Sequence, residues 1–246
     1  MRGRWRALGR NAGTVALYGV LAVVGGQVFF FHAVEHLSVG VALLIEYLGT
    51  VLVVGWMWLR HGHRPRRLTA IGSLLAAIGL AFVIDVFGDT RVDPVGVAWA
   101  LAGAVGLAVY FVLSAGADED IPPIALAGAG MTVGAVVLVG LGALGAMRMH
   151  ATFDTVEFAG RRASWLVPVG GMSLLAAAVA YVAGIGAARR LGPKLAAFVG
   201  LTEVLFAVLV AWALLGQLPT TVQLLGGALI VAGIALVRAD ELRAPG

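Results

Sequence analysis

Val39-Gly-Val-Ala-Leu-Leu-Ile-Glu46-Tyr-Leu-Gly-Thr-Val-Leu-Val-Val54 is an apolar run with one carboxyl group in its middle. Ala196-Ala-Phe-Val-Gly-Leu-Thr-Glu203-Val-Leu-Phe-Ala-Val-Leu-Val210 repeats the arrangement. In hydrocarbon every backbone polar group must be satisfied within the protein, so such runs are expected to be helices. A carboxyl group at that depth is expensive and marks a working position. Two of them, at matched depth in two similar segments, predict a duplicated membrane protein with its site near the midplane.

The rest of the chain fits that reading. It is 61% hydrophobic and 12% charged, with a mean hydropathy of +0.98. A soluble domain carries about 25% charged residues, so lipid must be the solvent here. Glycine, 35 of 246 residues, suits closely approaching membrane helices. The apolar runs continue over about 20 residues, whereas barrel strands alternate over about 10, so a barrel is excluded. There is no cysteine, which removes disulfides, thiol catalysis and cysteine-ligated metals. Arg2, Arg4, Arg6 and Arg10 precede an apolar run from Ala12 to Phe31. That run is too long for a signal peptide and no Ala-x-Ala site follows, so it reads as a retained helix.

Eight segments are expected to span: 12–33, 38–59, 68–87, 95–115, 122–146, 165–187, 193–215 and 220–238. Short polar separators divide them, and Pro65, Pro94, Pro122, Pro123, Pro193 and Pro219 fall at or near these, where proline starts a helix cheaply. With the N-terminus in the cytoplasm, thirteen Lys and Arg side chains fall inside and four outside: Arg91, Arg148, Arg161 and Arg162. That bias predicts both termini inside. The net charge of +4 is then a topology signal, and no nucleic-acid partner is expected. One inner loop, Asp118-Glu119-Asp120, is acidic, which counts for little in this rule. Trp56 and Trp58 at an inner helix end, and Trp165 and Trp212 at outer ends, read as an aromatic belt.

An internal repeat underlies the segments. Gly72 matches Gly226 and Gly79 matches Gly233, each 154 residues on, and His32–Leu37 matches Gly186–Leu191. Glu46 pairs with Glu203 at an offset of 157, the three extra residues being absorbed by the basic loop Arg60–Arg67. Segments one to three thus match six to eight. Partners five segments apart lie in opposite orientations, which is an inverted-topology duplication. The domains expected are residues 1–87, a partial first repeat of three helices, then 95–238, a second repeat of five, and a cytoplasmic tail 239–246.

Ala187-Ala-Arg-Arg-Leu-Gly-Pro-Lys-Leu-Ala-Ala-Phe-Val-Gly-Leu-Thr-Glu203, then Ala213-Leu-Leu-Gly-Gln-Leu-Pro219, then Gln223-Leu-Leu-Gly-Gly-Ala-Leu-Ile-Val-Ala-Gly233, resembles the second EamA repeat of the drug/metabolite transporter superfamily. Ala33-Val-Glu-His-Leu-Ser-Val-Gly-Val-Ala-Leu-Leu-Ile-Glu46 resembles the matching part of the first repeat. The nearest flavour is the bacterial amino-acid and metabolite exporters, including the threonine/homoserine type. The resemblance implies an all-α polytopic bundle of two inverted five-helix repeats, here three plus five, with two helices missing before Met1. It implies a central cavity and transport driven by an ion gradient in the bacterial plasma (inner) membrane, with Glu46 and Glu203 at the midmembrane acidic positions. Two departures stand out: Gly49-Thr50 where proline is usual, and Gly216-Gln217 where Gly-Glu is frequent.

The residues therefore divide by role. Glu46 and Glu203 are the candidates for coupling a proton, or another ion, to solute movement. Tyr110, Ser114, Tyr181, Gln27, Tyr47 and Thr202 are candidate cavity-lining groups, with His32 a further polar group near a span; each taken singly is as readily an interhelical hydrogen bond. Tyr110 and Ser114 share a helix face, and Gln27 aligns with Tyr181. Gly72, Gly79, Gly226 and Gly233 are spaced for close helix packing, with a homodimer face the alternative use. Asp85 reads as a solvated helix end. His61 and His63 have no carboxylate neighbour in their loop, so no metal site is expected. No catalytic motif and no nucleotide-binding glycine loop are present, which argues against an enzyme, needs no cofactor and makes any transport secondary. The expected partners are the lipid bilayer, a small solute (an amino acid or metabolite) and a coupling ion. The competing expectation is a truncated, non-transporting bundle that acts only as an assembly subunit.

Overall fold

The computed structural model describes residues 9–62, 65–83, 93–145, 153–158, 161–215, 218 and 220–243. They form a helical bundle: α1 (Ala12–His36), α2 (Val39–Arg60), α3 (Arg67–Val83), α4 (Pro94–Gly116), α5 (Pro123–Ala143), α6 (Leu166–Gly200), α7 (Thr202–Leu215) and α8 (Thr221–Leu242). Six of these helices are long and apolar enough to cross a membrane. α3, at 17 residues, sits at the lower limit for a span. α6 turns sharply at Gly192, whose φ of 76° and ψ of 162° suit only glycine, and Pro193 restarts the helix. It thus serves two crossings, the second completed by α7. Expected ends differ in detail. α8 runs to Leu242, so the first four residues of the expected tail 239–246 are helix. Asp85, His63, Gly216, Gln217 and Pro219 lie outside the described residues.

Local chemistry sets several helix starts. Ser38 caps α2 by accepting from the Val41 amide, and Asp93 caps α4 by accepting from Val95 ahead of Pro94 at the first helical position. Thr220 and Gln223 form a reciprocal capping box on α8. The separator 148–164 carries a feature the sequence reading missed, an antiparallel hairpin of β1 (Thr155–Phe158) and β2 (Arg161–Ser164).

The expected loop ends come together in space. At one end of the bundle Arg10 pairs with Asp120 at 3.3 Å and Asn11 donates to Asp118 at 3.0 Å. At the same end Arg189 donates to the Ile121 carbonyl, Lys194 pairs with Glu241 and Arg66 donates to the Arg243 carbonyl. These are all residues assigned to the inner side. The acidic loop thus pairs with Arg10, just ahead of α1, and its end is held by Arg189 of α6 through the Ile121 carbonyl. At the opposite end His36 meets Asp93 at 3.0 Å, and Gln223 donates to the Val83 carbonyl. The carboxyl of Asp93 is held below the usual range, first by the Val95 amide and then by His36.

α4 is the central helix, packed on α1, α2 and α6. α3 and α8 make the tightest pair and run antiparallel, with Gly72 against Gly233 and Gly79 against Gly226. A Cβ on any of the four would come within 2.7 Å of the opposite carbonyl oxygen. The four glycines thus close a seam inside the chain, which leaves none of them for a dimer face.

The backbone itself shows the internal match. In α1 an α-helical Ala12–Leu17 passes into a π-helical stretch, Tyr18–Gly25, and back to α-helix at Gly26. In α6 Leu166–Gly171 passes into a π-helical Met172–Val179 and back at Ala180. Every boundary is 154 residues from its partner, as are the seam glycines. π-Stretches are rare, so their recurrence at one offset is informative. It also corrects the pairing of the glutamates. With 154 on both sides there is no three-residue insertion for the basic loop to absorb. Glu46 then corresponds to Gly200, and Glu203 to Gly49. The two carboxylates lie one helical turn, roughly 4.5 Å, out of register.

Candidate functional site

α2 and the α6–α7 junction break close to their glutamates. Leu48 separates Val39–Tyr47 from Gly49–His61, and Leu201 separates α6 from α7. At each break a threonine hydroxyl answers a backbone carbonyl: Thr50 donates to Tyr47 at 2.9 Å and Thr202 to Val199 at 2.7 Å. Such serine and threonine bonds bend membrane helices and satisfy carbonyls that the break would orphan.

Between α1, α2, α4, α6 and α7 lies a cavity of about 560 Å³, a size ordinary for small-molecule sites. Glu46 and Glu203 both line it, as do Gln27, Tyr47, Tyr110, Tyr181 and Thr202. Glu46 is half-buried and Glu203 exposed. The Tyr47 hydroxyl donates to Glu203 at 3.3 Å, which joins the helix of one glutamate to the side chain of the other. Gln27 and Tyr181, which occupy matching repeat positions, meet in the cavity. The floor is small: Gly26, Ala176, Ala180, Ala183 and Gly184 leave the room that larger residues would fill.

Two expected lining groups fall elsewhere. Ser114 is fully buried and lies outside the cavity, although Tyr110 one turn earlier lines it. A helix turns 100° per residue, so a partner four residues on shares the face but sits a turn, about 6 Å, deeper along the axis. His32 packs on Trp99, ring centroids 4.9 Å apart, and faces Glu35 at 3.4 Å, away from the site. The sequence reading also passed over Tyr18. It is fully buried in the π-stretch, beside Tyr110 at 5.9 Å between centroids, and Tyr110 in turn meets Tyr181 edge-on at 5.6 Å. The Tyr18 and Ser114 hydroxyls lack hydrogen-bond partners of ordinary geometry. Tyr18 carries no motif, and nine residues, about two and a half turns of ordinary helix, would put it on the face opposite Gln27; the π-stretch that alters this phase is visible only in the structure.

Comparison with known proteins agrees with the architecture. The profile of the EamA-like transporter family matches residues 1–85 and 94–239. A protein of Archaeoglobus fulgidus named as an uncharacterized transporter is 26% identical over 222 residues, covering 90% of this chain and 74% of its own. The pseudopaline exporter CntI of Pseudomonas aeruginosa is 33% identical over 69 residues, 28% of this chain and 24% of that protein. A solved crystal structure superposes with a TM-score of 0.73 at 19% identity, over 98% of this chain and 84% of the other, a likeness of fold alone.

Proposed function

This chain belongs to the EamA-like transporter family, and from that premise we propose that it is a secondary, proton-coupled exporter of small metabolites or amino acids, with Glu46 and Glu203 as its coupling groups. The observation that carries the reading is the placement of both carboxyl groups on one cavity whose other lining is apolar, aromatic or neutral. A protonatable group inside a membrane protein that meets solute space is a natural site for ion coupling. Both carboxyl groups stand beside a tightened turn, at Leu48 in α2 and at Leu201 between α6 and α7, where the helix geometry departs from regularity.

The antiparallel glycine seam and the recurring π-stretches support two inverted repeats, with a first unit over 1–87 and a second over 95–238. The clustered basic ends favour a plasma-membrane orientation with both termini in the cytoplasm. A homodimer would have to use surface other than the glycine seam.

Flux in proteoliposomes under an imposed pH gradient tests the reading. Glu46→Gln and Glu203→Gln each abolish gradient-driven flux while the melting temperature in detergent stays within about 2 °C of the unaltered protein, roughly the shift of a 1 kcal/mol change. Undiminished flux in both variants would remove the carboxyl groups from coupling. Variants that fail to fold would return them to a structural role.

A further inference from the structure

The lining of the cavity is one-sided in charge. Its two ionisable carboxyl groups, Glu46 and Glu203, are joined by no lysine, arginine or histidine among the described residues that line it. The polar remainder is hydroxyl and amide: Tyr47, Tyr110, Tyr181, Thr202 and Gln27. Phe30, Phe111 and Phe206 complete an aromatic wall.

A substrate carboxylate placed here would face like charge and find no cation. Helix breaks in membrane transporters often supply the missing partner, because free N–H groups at a half-helix start receive an anion. The two breaks here are slight. Leu201 and Leu48 keep helical dihedrals, and their amides are already bonded to Phe198 and Ile45. Three residues on, Val204 bonds back to Leu201 and Val51 to Leu48, so both turns continue the helical pattern. Each break is a tightened helical turn and not an unwound segment, so the side chains of the lining set the charge that a solute meets.

A cation meets the reverse situation. Either carboxylate can receive an ammonium through charge-assisted hydrogen bonds. Tyrosine and phenylalanine faces attract a cation and also cover an apolar body.

We propose that the cavity takes an amine-bearing cation with an apolar or aromatic body and no free carboxylate, in preference to the zwitterionic amino acid of the same skeleton. The proposal rests on the exporter reading for the identity of the site. It adds the charge of the solute. In the exchange, the ammonium occupies a carboxylate that would otherwise hold the coupling proton, so solute and proton compete for one group.

Three solutes with one skeleton separate the cases: phenethylamine, phenylalanine and 3-phenylpropionate. Binding is measured by calorimetry on the full chain in lipid nanodiscs, and flux in proteoliposomes under a pH gradient. Phenethylamine is expected to bind at least tenfold more tightly than phenylalanine, and phenylpropionate not at all. Because the comparison is among solutes on the unaltered protein, it does not depend on any variant folding. Phenylalanine bound or moved as well as phenethylamine would overturn the substrate class and leave the exporter reading standing. Selective binding of the amine without flux of any solute would leave the class standing and overturn the exporter reading. Absence of phenethylamine binding would end the proposal outright.

Discussion

Alanine at Gly79 adds a single methyl group where two helix backbones already touch. Its Cβ would lie 2.5 Å from the Gly226 carbonyl oxygen, 2.8 Å from the Ile230 amide nitrogen and 2.9 Å from the Leu229 Cβ. Ordinary contact begins at 3.4 Å, so α3 and α8 must part by about 0.9 Å at that crossing. The nearest two atoms are backbone and cannot rotate away, which places the penalty in the upper part of the ~1–3 kcal/mol range for overpacking. For a chain of this length that corresponds to a fall in melting temperature of roughly 4–12 °C. The six tryptophans supply a fluorescence signal for thermal unfolding in detergent. Gly128→Ala is the control, since a Cβ there meets nothing within 4 Å. It should melt at or above the original temperature, because alanine is the better helix former by up to about 1 kcal/mol. Gly226→Ala opens the same crossing from the other side, since its Cβ would lie 2.6 Å from the Gly79 oxygen. One separation relieves both clashes, so the double variant should lose less than the sum of the singles. Equal melting of Gly79→Ala and Gly128→Ala, or strict additivity of the pair, would refute the seam.

Three further outcomes are expected. Gly192→Ala forces a side chain onto a φ of 76°, and should destabilise the chain by about 1–3 kcal/mol; an unchanged melting curve would contradict the kink. Thr69→Val removes the hydroxyl that donates to the buried Asp240 carboxylate, and should cost about 1–3 kcal/mol, with Asp240→Asn restoring part of it; full stability of Thr69→Val would argue against the pair. The Asp118 carboxyl is held below its ordinary range, first by the Asp120 amide and then by the Asn11 side chain. A depressed folded value gives stability that is present above the unfolded value of about 3.9 and is lost as pH falls through the folded one. Melting should therefore be insensitive to this group between pH 7 and 5 and decline only in acid, and Asp118→Asn should flatten that acid decline; a decline unchanged in the variant would remove Asp118 from it.

Much was legible in the chain because hydrocarbon imposes few solutions. Long apolar runs must be helices, basic residues mark one side, and a carboxyl group in such a run must have a reason to be there. Those rules gave the bundle, the glycine pairing at offset 154 and the two glutamates that the fold brings to one cavity. They also grouped the loop ends that the ion pairs later joined.

Other features depended on distance in space. In a sequence made mostly of Ala, Val, Leu and Gly, matching two glutamates by identity outweighs the weaker likeness around them, and the offset slipped to 157. The π-stretches at Tyr18–Gly25 and Met172–Val179 hold the register at 154, with the seam glycines on the other side, because a backbone state is set by hydrogen bonding and packing and not by the letter at one position. Tertiary packing likewise decided that Tyr110 faces the cavity while Ser114, on the same helix face, is buried below it. It gave the acidic loop its partners in Arg10, Asn11 and Arg189, residues separated from it by roughly 70 to 110 positions, where no local periodicity reaches. Which apolar runs cross the membrane was thus fixed by solvent chemistry acting along the chain, and which polar groups meet between them was fixed by the way the helices cross.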